Sequence, residues 1–144
     1  MQATARRLSV VSATSPARRR LIRNVGPPTR MAVDTTVAEQ FGHAIARCDY
    51  VAAHSLLSKA AQALHSPESI KQAVEEMIAI GDGPITDVDL VSECILEDWP
   101  AKQEGDVGYV YVALTGDGFC EAVTVTLARE ADTIRIRELE WGRP

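Results

Sequence analysis

Val107-Gly-Tyr-Val-Tyr-Val-Ala-Leu114, Thr115-Gly-Asp-Gly118, Phe119-Cys-Glu-Ala-Val-Thr-Val-Thr-Leu-Ala-Arg-Glu130 and Thr133-Ile-Arg-Ile-Arg-Glu-Leu-Glu-Trp141 follow one another with almost nothing between them. β-branched and aromatic residues dominate each long run, and apolar and polar positions alternate with period two. That is the pattern of half-buried strands. Thr115 to Gly118 is a strong hairpin signal. A two- or four-residue turn there keeps the same parity, so Val110, Val112 and Leu114 share a face with Phe119, Glu121, Val123, Val125 and Leu127. The turn at Glu130-Ala131-Asp132 decides the rest. A two-residue loop brings Ile134, Ile136, Glu138 and Glu140 onto that face, and a three-residue loop brings Arg135, Arg137, Leu139 and Trp141. A slip of one residue exchanges the two sets. The first reading is preferred, because it sets Ile134 and Ile136 on Leu127 and Val125 and avoids burying two arginines.

The preferred register gives two unlike faces. One is an apolar floor that ends in Glu121, Glu138 and Glu140. The other carries Tyr109, Tyr111, Thr124, Thr126, Arg135, Arg137, Leu139 and Trp141. Aromatics and arginine in that mixture resemble the centre of a protein interface. Tyr109, Tyr111, Arg137, Leu139 and Trp141 are therefore the expected contact residues of a homodimer.

Upstream, the periodicity changes to that of helices. Thr36 with Glu39 three residues on offers a capping box, and Val37, Phe41, Ala44, Ile45 and Cys48 then fall on one helical face. Asp49 restarts the chain and caps a second helix that runs through Ser58. Ser66-Pro67-Glu68 is a third start, with a capping serine, proline at the first helical position and an acid in the first turn. Ile70, Ala73, Val74, Met77 and Ile78 follow, and Gly81 with Gly83-Pro84 ends the helix. Ile85 to Trp99 reads as a long strand with room for a bulge, and residues 100–106 read as a polar loop. His43, His54 and His65 are eleven residues apart. Eleven helical residues rise about 16 Å, so no two of them share a metal ion on one helix. No metal and no cofactor is expected.

The chain has 144 residues, room for one domain. Its formal charge of −5 conceals an asymmetry. Residues 1–30 hold seven Arg and no acid, whereas the rest holds eight Lys or Arg against twenty Asp or Glu, a net −12. A body so acidic repels phosphate backbones, which argues against nucleic acid as a partner. No apolar run approaches the roughly 20 residues of a membrane span. Cys48, Cys94 and Cys120 lack metal-ligand spacing and read as reduced, buried thiols of a cytoplasmic protein. The expected organisation is a disordered basic leader over 1–33 and a single domain over 34–144. The leader's Arg- and Ser-rich, acid-free composition fits an organellar targeting peptide. It also fits an upstream segment before a true start at Met31, or a basic interaction tail.

Helices followed by a strongly curved antiparallel sheet of about four strands make an α+β layout that resembles the NTF2-like (cystatin-like cone) superfamily over residues 34–141. The run Phe41 to Leu57, with its Cys48-Asp-Tyr50 break and Ala52-Ala-His-Ser-Leu-Leu-Ser58, is similar to a run common in such domains, where the break reads Gly-Asp-Tyr. The resemblance implies a conical pocket between sheet and helices, and dimers through the outer face of the sheet. It does not imply one activity. The expected pocket residues are Tyr50, Phe41, Val112, Phe119, Glu121, Glu138 and Glu140. Three functions follow. The first is non-catalytic binding of a small apolar or cationic ligand. The second is an acidic interaction or immunity-type protein engaging a basic protein partner. The third is an isomerase or hydrolase in which Glu121, desolvated between Phe119 and Val123, acts as general acid or base. The superfamily includes ketosteroid isomerase and limonene epoxide hydrolase, but the Tyr-and-two-Asp set of the first and the Asp-Arg-Asp set of the second are not recognisable here. The glycines around Asp82 and Asp117 are turn signals, too short for a phosphate loop.

Overall fold

A computed structural model describes residues 33–142. The expectations for the basic leader lie outside them. Four short helices come first: α1 (Thr36–Ala46), α2 (Tyr50–Ser55), α3 (Lys59–Leu64) and α4 (Pro67–Ile78). Four strands follow: β1 (Asp82–Leu90), β2 (Asp106–Asp117), β3 (Phe119–Glu130) and β4 (Thr133–Trp141). They form one curved antiparallel sheet in the order β1-β2-β3-β4. The α+β layout expected from the sequence is the one observed.

The helix starts follow local chemistry, with two departures. At α1 the capping box is absent, and Asp34 takes its place by accepting the Thr36 backbone N–H at 3.1 Å. The second helix stops at Ser55 instead of running to Ser58. Ser58 caps a further helix instead, accepting the Ala61 N–H at 3.2 Å. The interruption has a tertiary cause. Leu56 to Ser58 lie along the free edge of β4, where the Ser58 N–H donates to the Ile136 carbonyl (2.8 Å) and the Ile136 N–H donates to the Leu56 carbonyl (3.0 Å). Ser66 caps α4 as expected, and Ser69 completes the box reciprocally. Between α1 and α2 the chain turns at Cys48, whose φ is +62°. The Cys48 N–H reaches the Ile45 carbonyl and the Asp49 N–H reaches the Ala44 carbonyl. This is the Schellman arrangement, in which glycine usually holds the left-handed position.

The core lies between the helices and one face of the sheet. Phe41, Ile45, Leu57, Ile70 and Val74 meet Val110, Val112, Leu114, Val123, Val125, Leu127 and Ile136, each at most 2% exposed. Burying each such side chain stabilises by about 1.5–3 kcal/mol. Gly42 lets α1 approach closely, since a Cβ there would lie 2.6 Å from Val88 Cγ1.

The last hairpin has a two-residue loop, Ala131-Asp132, with Glu130 opposite Thr133 and Leu127 opposite Ile136. So far the preferred register holds. Then β4 bulges: Thr126 stands opposite Glu138, and Arg137 is the extra residue. Past the bulge every side chain changes face. Leu139 (opposite Val125) and Trp141 (opposite Val123) turn toward the helices and pack against the core. Glu138 and Glu140 (opposite Thr126 and Thr124) turn outward. This corrects the expected placement of all four residues. The physical reason is desolvation. Unbroken alternation would carry two carboxylates into an apolar core, at several kcal/mol each, whereas a bulge leaves one backbone position unpaired.

A bulge in β2 answers it. Asp106 pairs with Ala128 and Gly108 with Leu127, so Val107 is extra. The two bulges flank β3 at the same level. Across them the Arg137 guanidinium grips Asp106 bidentately, Nε to Oδ1 at 2.7 Å and Nη2 to Oδ2 at 2.8 Å. The Asp106 side chain is fully buried and that of Arg137 is 24% exposed. Paired bulges bend a sheet and increase its twist, which accounts for curvature at this level.

Candidate binding cleft on the outer face of the sheet

Several of the residues expected to line a pocket between sheet and helices are core side chains. Phe41 and Val112 are fully buried in the core, and Phe119 is nearly so. Trp141, brought inward by the Arg137 bulge, meets Phe41 with ring centroids 6.3 Å apart. Trp141 also lines a shallow groove with Ala73, Glu76, Met77 and Gly142. Glu121, opposite Leu114, is half-buried on the helix side. Tyr50 is half-buried as well. Burial foremost, with Cys48 and Glu75 adding, pushes its hydroxyl up to about 12, so near neutral pH it can donate or accept a hydrogen bond but not serve as a base. Of the seven expected pocket residues, Glu138 and Glu140 lie on the opposite face from the other five sheet and helix positions.

The outer face carries the more pronounced feature. β1 pairs with β2 as far as Leu90 opposite Val112. The Val91 N–H still reaches the Tyr111 carbonyl, and pairing resumes only at Leu96 opposite Tyr109. Between them Ser92–Cys94 form a 3₁₀ turn. The long strand expected over 85–99 therefore ends at Leu90, with a single bridge at Leu96 beyond it. The inserted residues fold over the outer face as a ledge. Under it lies a cleft of about 290 Å³ lined by Glu93, Cys94, Leu96, Tyr109, Tyr111 and Thr124. Thr124 is its buried floor, and the tyrosines are half-buried walls.

Carboxylates and aromatics share the outer face with this cleft. Glu140 stands beside Thr124 in the ladder and accepts the Tyr109 hydroxyl at 3.3 Å on each oxygen. Burial first, then the charge of Glu140, raises the Tyr109 hydroxyl above its ordinary value. Glu138 follows on the same face. At the β1 edge, Asp87 and Asp89 stand opposite Thr115 and Ala113, again on the outer face. Trp99 stacks on Tyr109 at 5.1 Å between centroids, and Lys102 Nζ sits 5.7 Å from the Trp99 ring.

Of the expected interface residues, Tyr109 and Tyr111 lie on this face, and Arg137 lies there engaged with Asp106. Leu139 and Trp141 do not. Glu93, Leu96, Trp99 and Asp106 were not foreseen. In the sequence Leu96 and Trp99 fall within one long strand-like run, and Asp106 within a polar loop. The three cysteines are free and exposed, not buried. Cys48 sits in the turn that ends α1 and Cys94 in the 3₁₀ turn, both on the surface. Among the described residues, no group of three His, Cys, Asp or Glu is placed to hold a metal ion. No helix among them is long and apolar enough to cross a membrane. No protein-family model, curated protein or solved structure matches this chain.

Proposed function

We propose that this domain is an NTF2-like cone that serves as a non-catalytic interaction module and receives a basic protein partner on the outer face of its sheet. The observation that carries the reading is the half-covered aromatic cleft with carboxylates around it, set on a body of net −12 from residue 31 onward. The family resemblance rests on helices preceding a curved four-stranded sheet, and on the left-handed break at Cys48-Asp49-Tyr50. Complementary charge speeds encounter and rejects wrong partners, and burial of the tyrosines would supply the short-range part.

The test is binding of the immobilised domain to peptides of equal length in which Arg, Lys, Gln or Glu alternates with Gly. The cationic peptides should bind and weaken with added salt, and the Gln and Glu peptides should not bind. Equal responses to the Gln and the cationic peptides would sink the proposal. A second reading, a homodimer through the same face, is favoured by the central position of Tyr109 and Tyr111. It must overcome the repulsion between two copies of Asp87, Asp89, Glu138 and Glu140.

A further inference from the structure

We infer that the cleft beneath the 92–94 ledge is a socket for one arginine side chain of that basic partner, held between aromatic walls and carboxylates. The inference rests on the proposed interaction role and names the anchor that role would use. Three observations converge on it.

First, the shape suits a side chain. A cleft of about 290 Å³ is at or below the small end of the range for drug-sized ligands. Leu96 and the rings of Tyr109 and Tyr111 supply apolar wall that suits an aliphatic stem. Second, the charges suit a cation. Glu93 belongs to the wall, and Glu140 neighbours both the Thr124 floor and the Tyr109 hydroxyl. A cation entering along Tyr111 would find acid on the ledge side and on the β4 side. Third, this face already holds one cation against an aromatic ring. Lys102 sits over Trp99, which in turn stacks on Tyr109. Tyr111, one position further along the same face, offers a second ring.

Arginine is favoured over lysine for a geometric reason. Its planar guanidinium stacks on a ring while donating in-plane to carboxylates, whereas an ammonium is a strongly hydrated point charge. A second copy of this chain is a poorer occupant, because it would bring its own carboxylates to this face.

The experiment titrates an alternating Arg-Gly peptide into isotope-labelled protein and follows backbone amide shifts. The same titration is run with Lys-Gly and with citrulline-Gly peptides, citrulline being the neutral isostere of arginine. The largest shifts should fall on residues 93–96, 109–111, 124 and 140. Arginine should bind about five-fold tighter than lysine, and citrulline should not bind. Tyr111→Ala should weaken the arginine peptide about ten-fold and erase the preference over lysine. Tyr111→Leu keeps the bulk without the ring and should erase the preference alone, which guards against a folding defect in the alanine variant. The socket is overturned if arginine and lysine bind equally in the wild type, or if Tyr111→Leu leaves the preference intact. In either case the basic-partner reading survives as diffuse attraction. If no cationic peptide binds, both fall.

Discussion

At the scale of single residues, backbone strain and one ion pair matter most. Cys48 holds φ at +62° to end α1. A left-handed conformation costs a side-chain-bearing residue about 1–2 kcal/mol, and glycine escapes this at some entropic cost. Cys48→Gly should therefore stabilise the domain by about 0.5–1 kcal/mol, read as a higher urea midpoint with an unchanged slope. Asp106 makes the opposite case. Burial, the largest single influence, pushes its carboxyl up. The Arg137 hydrogen bonds, the Gln103 backbone N–H and the charges of Arg137 and Lys102 together outweigh it, so the group ends below its ordinary 3.8. A carboxyl lowered in the folded state contributes stability that is complete above its unfolded value and fades as pH falls through the folded one. Below pH 3.8 the wild type should thus lose stability more steeply than Asp106→Asn. At pH 7 that variant should already be weaker by about 2–3 kcal/mol, less than a fully buried pair would lose because Arg137 keeps contact with water. A variant as stable as wild type at pH 7 would show that the pair contributes nothing net.

At the scale of elements, β4 is the instructive strand. Its alternation is legible: Ile134 and Ile136 are apolar at even positions, Leu139 and Trp141 at odd ones. The phase slips between 136 and 139, and the Arg137 bulge is where the backbone takes up the slip. The same slip occurs in β1, where Ile85 and Val88 both face the helices across a register shift between Ile85 and Asp87. A phase change within a strand thus marks that a bulge is needed, while the position at which the backbone takes it up is set by pairing with the neighbouring strand. Deleting Arg137 tests it. The deletion removes the extra residue, so simple alternation keeps Leu139 and Trp141 inward and Glu138 and Glu140 outward, but it strips the buried Asp106 of its guanidinium partner. Unfolding should stay cooperative by calorimetry, with stability lowered by about 3–5 kcal/mol. Trp141→Glu should likewise destabilise by more than about 3 kcal/mol, while Tyr111→Glu on the outer face should fold. If Trp141→Glu folds with wild-type stability, Trp141 does not pack as described.

At the scale of the whole molecule, charge and edges govern association. The β4 edge is covered at Ile136 by Leu56–Ser58. The β1 edge carries Pro84, Asp87, Asp89 and two register shifts, devices that discourage strand addition. Asp87→Val with Asp89→Val should raise the aggregation rate on mild heating, followed by light scattering, with little change in the monomer's melting point. With acids on both edges of the outer face, self-association should be weak at low salt. Sedimentation should then give the monomer mass of 15.6 kDa, and twice that value would favour the homodimer instead.

The sequence by itself determined the α+β class, the α4 cap at Ser66, the break at Cys48-Asp49, both hairpin turns and the first half of β4. Each rests on contacts within a few residues or on simple alternation. Only the tertiary structure decided which face Glu138 to Trp141 present, where α2 ends, and that a ledge covers the outer face. The bulge is locked by Asp106 and Arg137, 31 residues apart. The end of α2 is set by a β4 edge some 80 residues away. The cleft exists because β1 leaves its ladder at Val91 and rejoins it at Leu96. Such choices balance desolvation against backbone pairing across the whole sheet, and no window of neighbouring residues contains both sides of that balance.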